Sequence, residues 1–307
     1  MRIFVISIGG TINQRAIDGK MAVDMEEGGF RSSIDSNHEL TFFEFSKITG
    51  ANLAIENVVS LRDLILEQSL KYDGVILLTG TDSLEEIAFG LDLMLDVTIP
   101  VVITAAMRPA DALGYDGFRN FRDSVAVAGA PESSGNGVLI VISEDIHAAR
   151  YLRKLDSQSL NAFESRPGPI GKIRRGIPIY TYLGLPELKK YTQITSCSND
   201  INIPIIPMYL GCDLSFVNFE KIDGLVLAGM GTGSLSDSVI NRLSPEITNK
   251  IPVCITSRCL VGGNYDDFYY KGSLQKYTSK GFILEGYEGL SPYQARIKLM
   301  LDLAVKS

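Results

Sequence analysis

The sequence predicts an α/β protein: a larger N-terminal domain on a mostly parallel, flavodoxin- or Rossmann-like sheet, followed by a smaller C-terminal α/β domain. Three observations carry this. From Met1 to about Leu183, apolar strand-like runs alternate with helical patterns. Between Leu185 and Asn202 the pattern dissolves into charged and polar residues, including Lys189-Lys190 and Ser196 to Asp200. At Ile203 strand, helix and strand resume on a smaller scale. The expected division is residues 1–185, a linker at 186–202, and residues 203–307. A chain of 307 residues is long for one core and comfortable for two.

The first strand is the apolar run Ile3 to Ile8, which enters a glycine elbow, Ile8-Gly9-Gly10-Thr11-Ile12. Residues Asn13 to Phe30 follow, rich in charge, with Gly19, Gly28 and Gly29 as hinges; loops of this length without structure of their own are commonly active-site lids. A second strand, Val75 to Leu78, enters another elbow, Thr79-Gly80-Thr81-Asp82-Ser83. Leu84, Ile87, Ala88, Leu91 and Leu95 then recur at helical spacing, with Asp82 or Ser83 as cap and Glu85 or Glu86 three residues on. Val101 to Thr104 and Val138 to Ile142 read as further buried strands. In the second unit, Leu225-Val226-Leu227-Ala228 leads into Gly229-Met230-Gly231-Thr232-Gly233 and a helix starting at Ser234 or Ser236. The last helix opens with Ser291 as cap and Pro292 at its first position, and Ala295, Leu299 and Leu303 give it a buried face.

Composition removes several function classes. Hydrophobic content of 45% and charge of 21% describe an ordinary soluble protein. The net charge of −7, from 29 basic and 36 acidic residues, comes with no basic block of the kind that binds nucleic acid. The short apolar run after Arg2 ends at Gly9-Gly10 without a cleavage site, and no stretch reaches transmembrane length, so a cytoplasmic protein with no membrane partner is expected. Cys197, Cys212, Cys254 and Cys259 lack metal-site spacing, and the histidines are His38 and His147 alone, so no metal or cofactor is expected. A His-dependent triad is disfavoured for the same reason.

Both elbows put a threonine where a strand of an open α/β sheet ends, and ligands bind in the crevice outside those ends. A threonine hydroxyl becomes a nucleophile only when a neighbour takes its proton. Asp82 sits beside Thr81, and Lys154 is a candidate base from elsewhere in the chain. The plain alternatives are that Thr11 and Thr81-Asp82 cap the segments after them and that Lys154 is a solvated surface lysine. A cap and a site are compatible, because a helix N-terminus supplies free N–H groups and a positive dipole end.

These residues resemble the bacterial-type L-asparaginase family. The first elbow is similar to that family's Gly-Gly-Thr-Ile, and the second to its Gly-Thr-Asp-Thr/Ser signature, continued by Leu84 to Phe89. Ala106-Met107-Arg108-Pro109, Asp116-Gly117 with Asn120, Arg150 through Lys154 to Phe163, and Leu290-Ser291-Pro292 with Ala295 to Leu299 follow in order. The resemblance implies an amidohydrolase that cleaves a side-chain amide to a carboxylate and ammonia through a threonine nucleophile. It implies Thr11, Thr81, Asp82 and Lys154 as catalytic residues and Ser60, Gly80, Asp82 and Ala106 as substrate-binding ones. In the family the aspartate matching Asp82 grips the substrate's α-amino group, and the threonine and lysine matching Thr81 and Lys154 work together. The backbone carbonyl at the position of Ala106 receives the amide nitrogen, while Arg108 and Asp116 are expected to hold the surrounding loop. It also implies a homotetramer, a dimer of dimers, in which Asp266 and Asp267 reach a neighbour's site.

Three departures bear on substrate. The lid tyrosine of the family is missing from Asp18-Gly19-Lys20-Met21-Ala22-Val23, the residue after Ser60 is Leu61 rather than polar, and Thr232 stands where the family has asparagine. They point to an alternative substrate, a modified, N-acylated or D-configured asparagine or glutamine, with Leu61 offering apolar bulk. A weakly catalytic small-molecule-binding homologue is a second alternative, and nucleotide binding at Gly229-x-Gly231-x-Gly233 a third.

Overall fold

The computed structural model describes residues 1–17, 20–23, 30, 38–166, 168–186, 188, 190–197 and 200–305. It divides into two compact units, Met1–Gln193 and Ile194–Ser307.

The first unit is built on an eight-stranded sheet. Its parallel part runs β4 (Glu39–Glu44), β1 (Arg2–Ser7), β5 (Gly74–Leu78), β6 (Val101–Thr104) and β7 (Val138–Ile142), in that spatial order. The central strands are continuous apolar runs because helices cover both faces, and every residue of β5, β6 and β7 is buried. Three helices follow strands of this part: α1 (Ile55–Gln68), α2 (Leu84–Met94) and α3 (Gly117–Ala128). α2 is buried on nearly every side, packed against α1 and β7, so its apolar surface exceeds the single stripe its periodicity predicts.

Beyond β7 the sheet turns antiparallel through β8 (Asp145–Ala148), β11 (Gly171–Arg174) and β12 (Ile177–Tyr180). Both tight connections are two residues long with left-handed backbone, Ser143-Glu144 and Arg175-Gly176. Positive φ at both positions matches the strand twist in such hairpins, but Ser-Glu and Arg-Gly are weak sequence signals for it. Two short strands, β9 (Leu152–Lys154) and β10 (Phe163–Ser165), pair outside the main sheet.

The stretch expected to be an unstructured lid contains a hairpin, β2 (Gln14–Ile17) and β3 (Lys20–Val23). The hinges Gly19, Gly28 and Gly29 lie outside the described residues. Part of the expected linker is docked on the first unit: Tyr191 is fully buried, and its amide donates to the Leu93 carbonyl.

The second unit has a three-stranded parallel sheet, ordered β13 (Ile205–Pro207), β14 (Leu225–Gly229) and β15 (Val253–Ser257). Its core gathers Leu225, Leu227, Val239, Ile240, Val253, Ile255 and Phe282. The last helix, Pro292–Ala304, starts with a capping box in which Ser291 and Gln294 each satisfy the other's backbone N–H. The helix Asp237–Arg242 is capped by Ser236, not Ser234, because Ser234 is taken into a bridge with Met230 that closes the glycine turn on itself.

Candidate active site

β1, β5 and β6 are neighbours, so the segments leaving their carboxyl ends converge. The first elbow is fastened to the end of the strand that enters the second: the Ile8 amide donates to the Leu78 carbonyl at 3.1 Å. Gly9 and Gly10 then take φ of 95° and 93°, the left-handed region. A Cβ on Gly10 would lie 2.2 Å from the Gly80 nitrogen, so glycine is required for the elbows to meet. Thr11 comes next, half-buried, opening a single 3-10 turn, Thr11–Asn13. The Tyr115 hydroxyl fixes that turn by donating to the Ile12 carbonyl at 2.6 Å.

On the second elbow, Thr81 is buried, at 7% exposure, while the Asp82 side chain is 73% exposed. Lys154, at the end of β9, reaches both. Its ammonium donates to Thr81 Oγ1 at 2.9 Å and to Asp82 Oδ1 at 2.9 Å. An ion pair with so exposed a carboxylate contributes little stability; its effect is to orient the lysine. Glu85, in the first turn of α2, accepts the Lys154 backbone N–H at 2.8 Å. Burial pushes the Glu85 carboxyl above its ordinary value, against that hydrogen bond and the Arg153 and Lys154 charges, which lower it.

Glu85 therefore holds Lys154 rather than capping its own helix. Ser83 occupies the cap position without a side-chain cap bond. In the sequence Glu85 is marked only as one of two acids, with Glu86, that a capping box could use. Tyr115 and Gly50 had no sequence signal. Gly50 opens a 3-10 turn, Gly50–Asn52, that packs against the second elbow, where a Cβ would stand 3.0 Å from Ser83 Oγ.

Ala106 is fully buried just beyond β6. The Asp116 carboxylate braces its loop by accepting the Met107 and Arg108 amides, each at 3.1 Å, and Asn120 donates to the Ala105 carbonyl at 2.9 Å. Arg108 turns back on the same loop, donating to the Leu113 carbonyl at 2.9 Å. Both are loop braces, as expected.

Ser60 is not brought to this group. It lies on α1, exposed, with its hydroxyl donating to the Glu56 carbonyl one turn back at 2.9 Å. Leu61 is fully buried in the core, so it offers no apolar wall to a substrate. His147 is also in the core, 2.8 Å from the Ser165 hydroxyl through Nδ1, and burial lowers its pKa to about 4. Among the described residues, no cluster of three or more His, Cys, Asp or Glu side chains is placed to hold a metal ion. No described helix is long and apolar enough to cross a membrane.

The sequence comparisons span both units. Residues 2–183 match the family described as Asparaginase, N-terminal, and residues 202–307 the Glutaminase/Asparaginase C-terminal domain. The chain is 30% identical over 318 residues to Probable L-asparaginase 1 of Schizosaccharomyces pombe, covering 97% of this chain and 84% of that one. It is also 30% identical over 310 residues to Probable L-asparaginase of Deinococcus radiodurans, covering 98% and 92%. The crystal structure of the Probable Cytoplasmic L-asparaginase from Campylobacter jejuni superposes with a TM-score of 0.84 at 28% identity, over 100% of this chain and 95% of that one. With two family matches in order and glycine elbows that bring Thr81, Asp82 and Lys154 beside Gly10-Thr11, the chain belongs to the bacterial-type asparaginase family.

Proposed function

We propose that this protein hydrolyses the side-chain amide of L-asparagine or a close derivative, giving aspartate and ammonia. The observation that carries the reading is the Lys154 ammonium on Thr81 and Asp82, beside the elbow that presents Thr11. Thr11 Oγ attacks the amide carbon and gives up its proton, and ammonia leaves with a proton, so an ester remains on Thr11. Water then cleaves the ester, releasing the carboxylate and restoring the hydroxyl. Lys154 passes protons to and from the reacting atoms through Thr81. Asp82, the exposed carboxylate, binds the substrate's α-amino group. The backbones at Gly80 and Ala106 line the cleft.

A second reading keeps the chemistry and changes the substrate to an N-acylated, otherwise modified or D-configured asparagine or glutamine. Its support is the position of Ser60, whose hydroxyl is engaged within α1 instead of available to an α-carboxylate. Ammonia release from L- and D-asparagine, glutamine and N-acyl derivatives separates the two. Absence of release from every one of them, with the protein folded, overturns both and favours a binding homologue.

The protein acts as a cytoplasmic homotetramer in this reading, with each site completed by a neighbour's second domain. The segment after β15 carries Asp266 and Asp267 beside Phe268, Tyr269 and Tyr270, residues that are 79%, 80% and 66% exposed. An exposed aromatic cluster of this kind suits an interface core. Light scattering with a parallel activity assay tests it, and a fully active monomer sinks it.

A further inference from the structure

Helix α2 carries two acids on a face that is otherwise apolar. Glu85 and Asp92 are seven residues apart, two turns, so they lie on one stripe about 10 Å apart along the axis. Asp92 is 1% exposed. Both point at the same short piece of chain, the 3-10 turn Ala149–Tyr151 and the β9 strand that follows it. At the end of the stripe near the elbow, Glu85 accepts the Lys154 N–H at 2.8 Å. At the other end, Asp92 Oδ2 lies 3.4 Å from Arg150 Nη2, while its Oδ1 accepts the Val138 N–H at 3.0 Å and faces the Lys190 ammonium at 3.7 Å.

Stability does not account for this arrangement. Burying the Asp92 carboxylate in a largely apolar helix carries a desolvation cost before pairing, and buried ion pairs are often no better than apolar side chains of the same size. What the two acids supply is position. Arg150 and Lys154 are the ends of one segment, and α2 is a rigid rod that also begins at the elbow bearing Thr81 and Asp82.

We propose that Glu85 and Asp92 are positioning residues that grip the Arg150–Lys154 segment at its two ends and so set where the Lys154 ammonium meets Thr81. The proposal rests on the reading of Lys154 as the proton carrier. Displacing a catalytic group by about 1 Å costs on the order of 100-fold in rate.

The test uses the full-length protein and two measurements. Hydrogen exchange of the peptide covering residues 150–154 reads the grip itself. Steady-state ammonia release from the best amide substrate reads its consequence. Glu85→Met keeps the side-chain volume and removes the acceptor; it is expected to raise exchange at Lys154 and to lower kcat about 10- to 100-fold with little change in KM. Glu85→Gln, whose carbonyl oxygen still accepts the N–H, is expected to recover most of both. Asp92→Asn keeps the acceptor for Val138 but loses the charge that holds Arg150; it is expected to raise exchange at the Arg150 end. In a Lys154→Met background, Glu85→Met is expected to cost nothing further in kcat, because both changes act through one group. Unchanged exchange in Glu85→Met and Asp92→Asn overturns the grip. A kcat loss that persists undiminished in the Lys154→Met background overturns the claim that Glu85 acts through Lys154. Wild-type kcat in Lys154→Met alone instead removes the catalytic reading of that lysine, and the exchange result still decides the grip.

Discussion

Gly10 and Gly80 come so close that a Cβ on Gly10 would lie 2.2 Å from the Gly80 nitrogen and 2.4 Å from its Cα. The two elbows are thus pinned backbone to backbone, and the threonine after each glycine is placed by that contact. Gly10→Ala is expected to abolish ammonia release and to lower stability by at least about 2 kcal/mol in urea unfolding, from the left-handed φ and the overlap together. An active Gly10→Ala variant of wild-type stability would show that the elbows need not touch.

The nucleophile is decided by trapping. Thr11→Ala is expected to abolish turnover while leaving folding and substrate binding largely intact, and an acyl ester on Thr11 should be visible by mass spectrometry after rapid quenching. An ester on Thr81, with Thr11→Ala still active, reverses the assignment.

Asp82 and Lys154 should separate in kinetics. Asp82→Asn removes the charge offered to an α-amino group, so KM is expected to rise more than kcat falls. Lys154→Met removes the proposed proton carrier and is expected to lower kcat by about 10²–10⁴-fold with a smaller effect on KM. Equal changes in KM and kcat for both variants would mean that the two side chains act as one binding unit.

Much of this arrangement was legible because it is local. A strand, a glycine pair and a threonine are consecutive in sequence, and the parallel sheet forces such ends together. β6 and β7 run over the apolar stretches that define them, Val101–Thr104 and Val138–Ile142. What was not legible is non-local. Glu85 reads as a helix cap until β9 is folded against α2, since its partner is 69 positions away. Ser60 reads as available until the helix around it closes its hydroxyl onto Glu56. Leu61 reads as substrate-facing for the same reason, because a one-residue step on a helix decides between core and solvent.

Histidine 147 gives a stability test independent of catalysis. Its pKa is about 4 in the folded chain, against the ordinary 6.5, because burial disfavours the charged ring. Between pH 6.5 and 4 the unfolded chain binds a proton there that the folded chain refuses. The contribution is therefore whole above pH 6.5 and is lost as pH falls toward 4, about 3 kcal/mol in all. His147→Gln cannot take up that proton, so its stability deficit against the wild type, measured by urea unfolding, is expected to shrink by about that amount between pH 7.5 and 4. A deficit independent of pH would mean that the ring is already solvated.

The last prediction concerns the hairpin that follows the first elbow. β3 carries Lys20 and Met21, opposite Ile17 and Ala16 of β2. The sequence has no tyrosine before Tyr72, so the lid tyrosine that the family resemblance leads one to expect, and its phenol, are missing from this hairpin. With Thr11 as the proposed nucleophile, its activation falls to something else: a water, Lys20, or a residue of another subunit. Weak turnover of free L-asparagine is the expected result. Lys20→Tyr or Met21→Tyr is expected to raise it, by up to about 10²–10⁴-fold where the phenol is well placed for proton transfer. If the unmodified protein already turns over L-asparagine with high kcat/KM, the missing phenol is not limiting. The altered-substrate reading then loses the support it draws from the missing tyrosine.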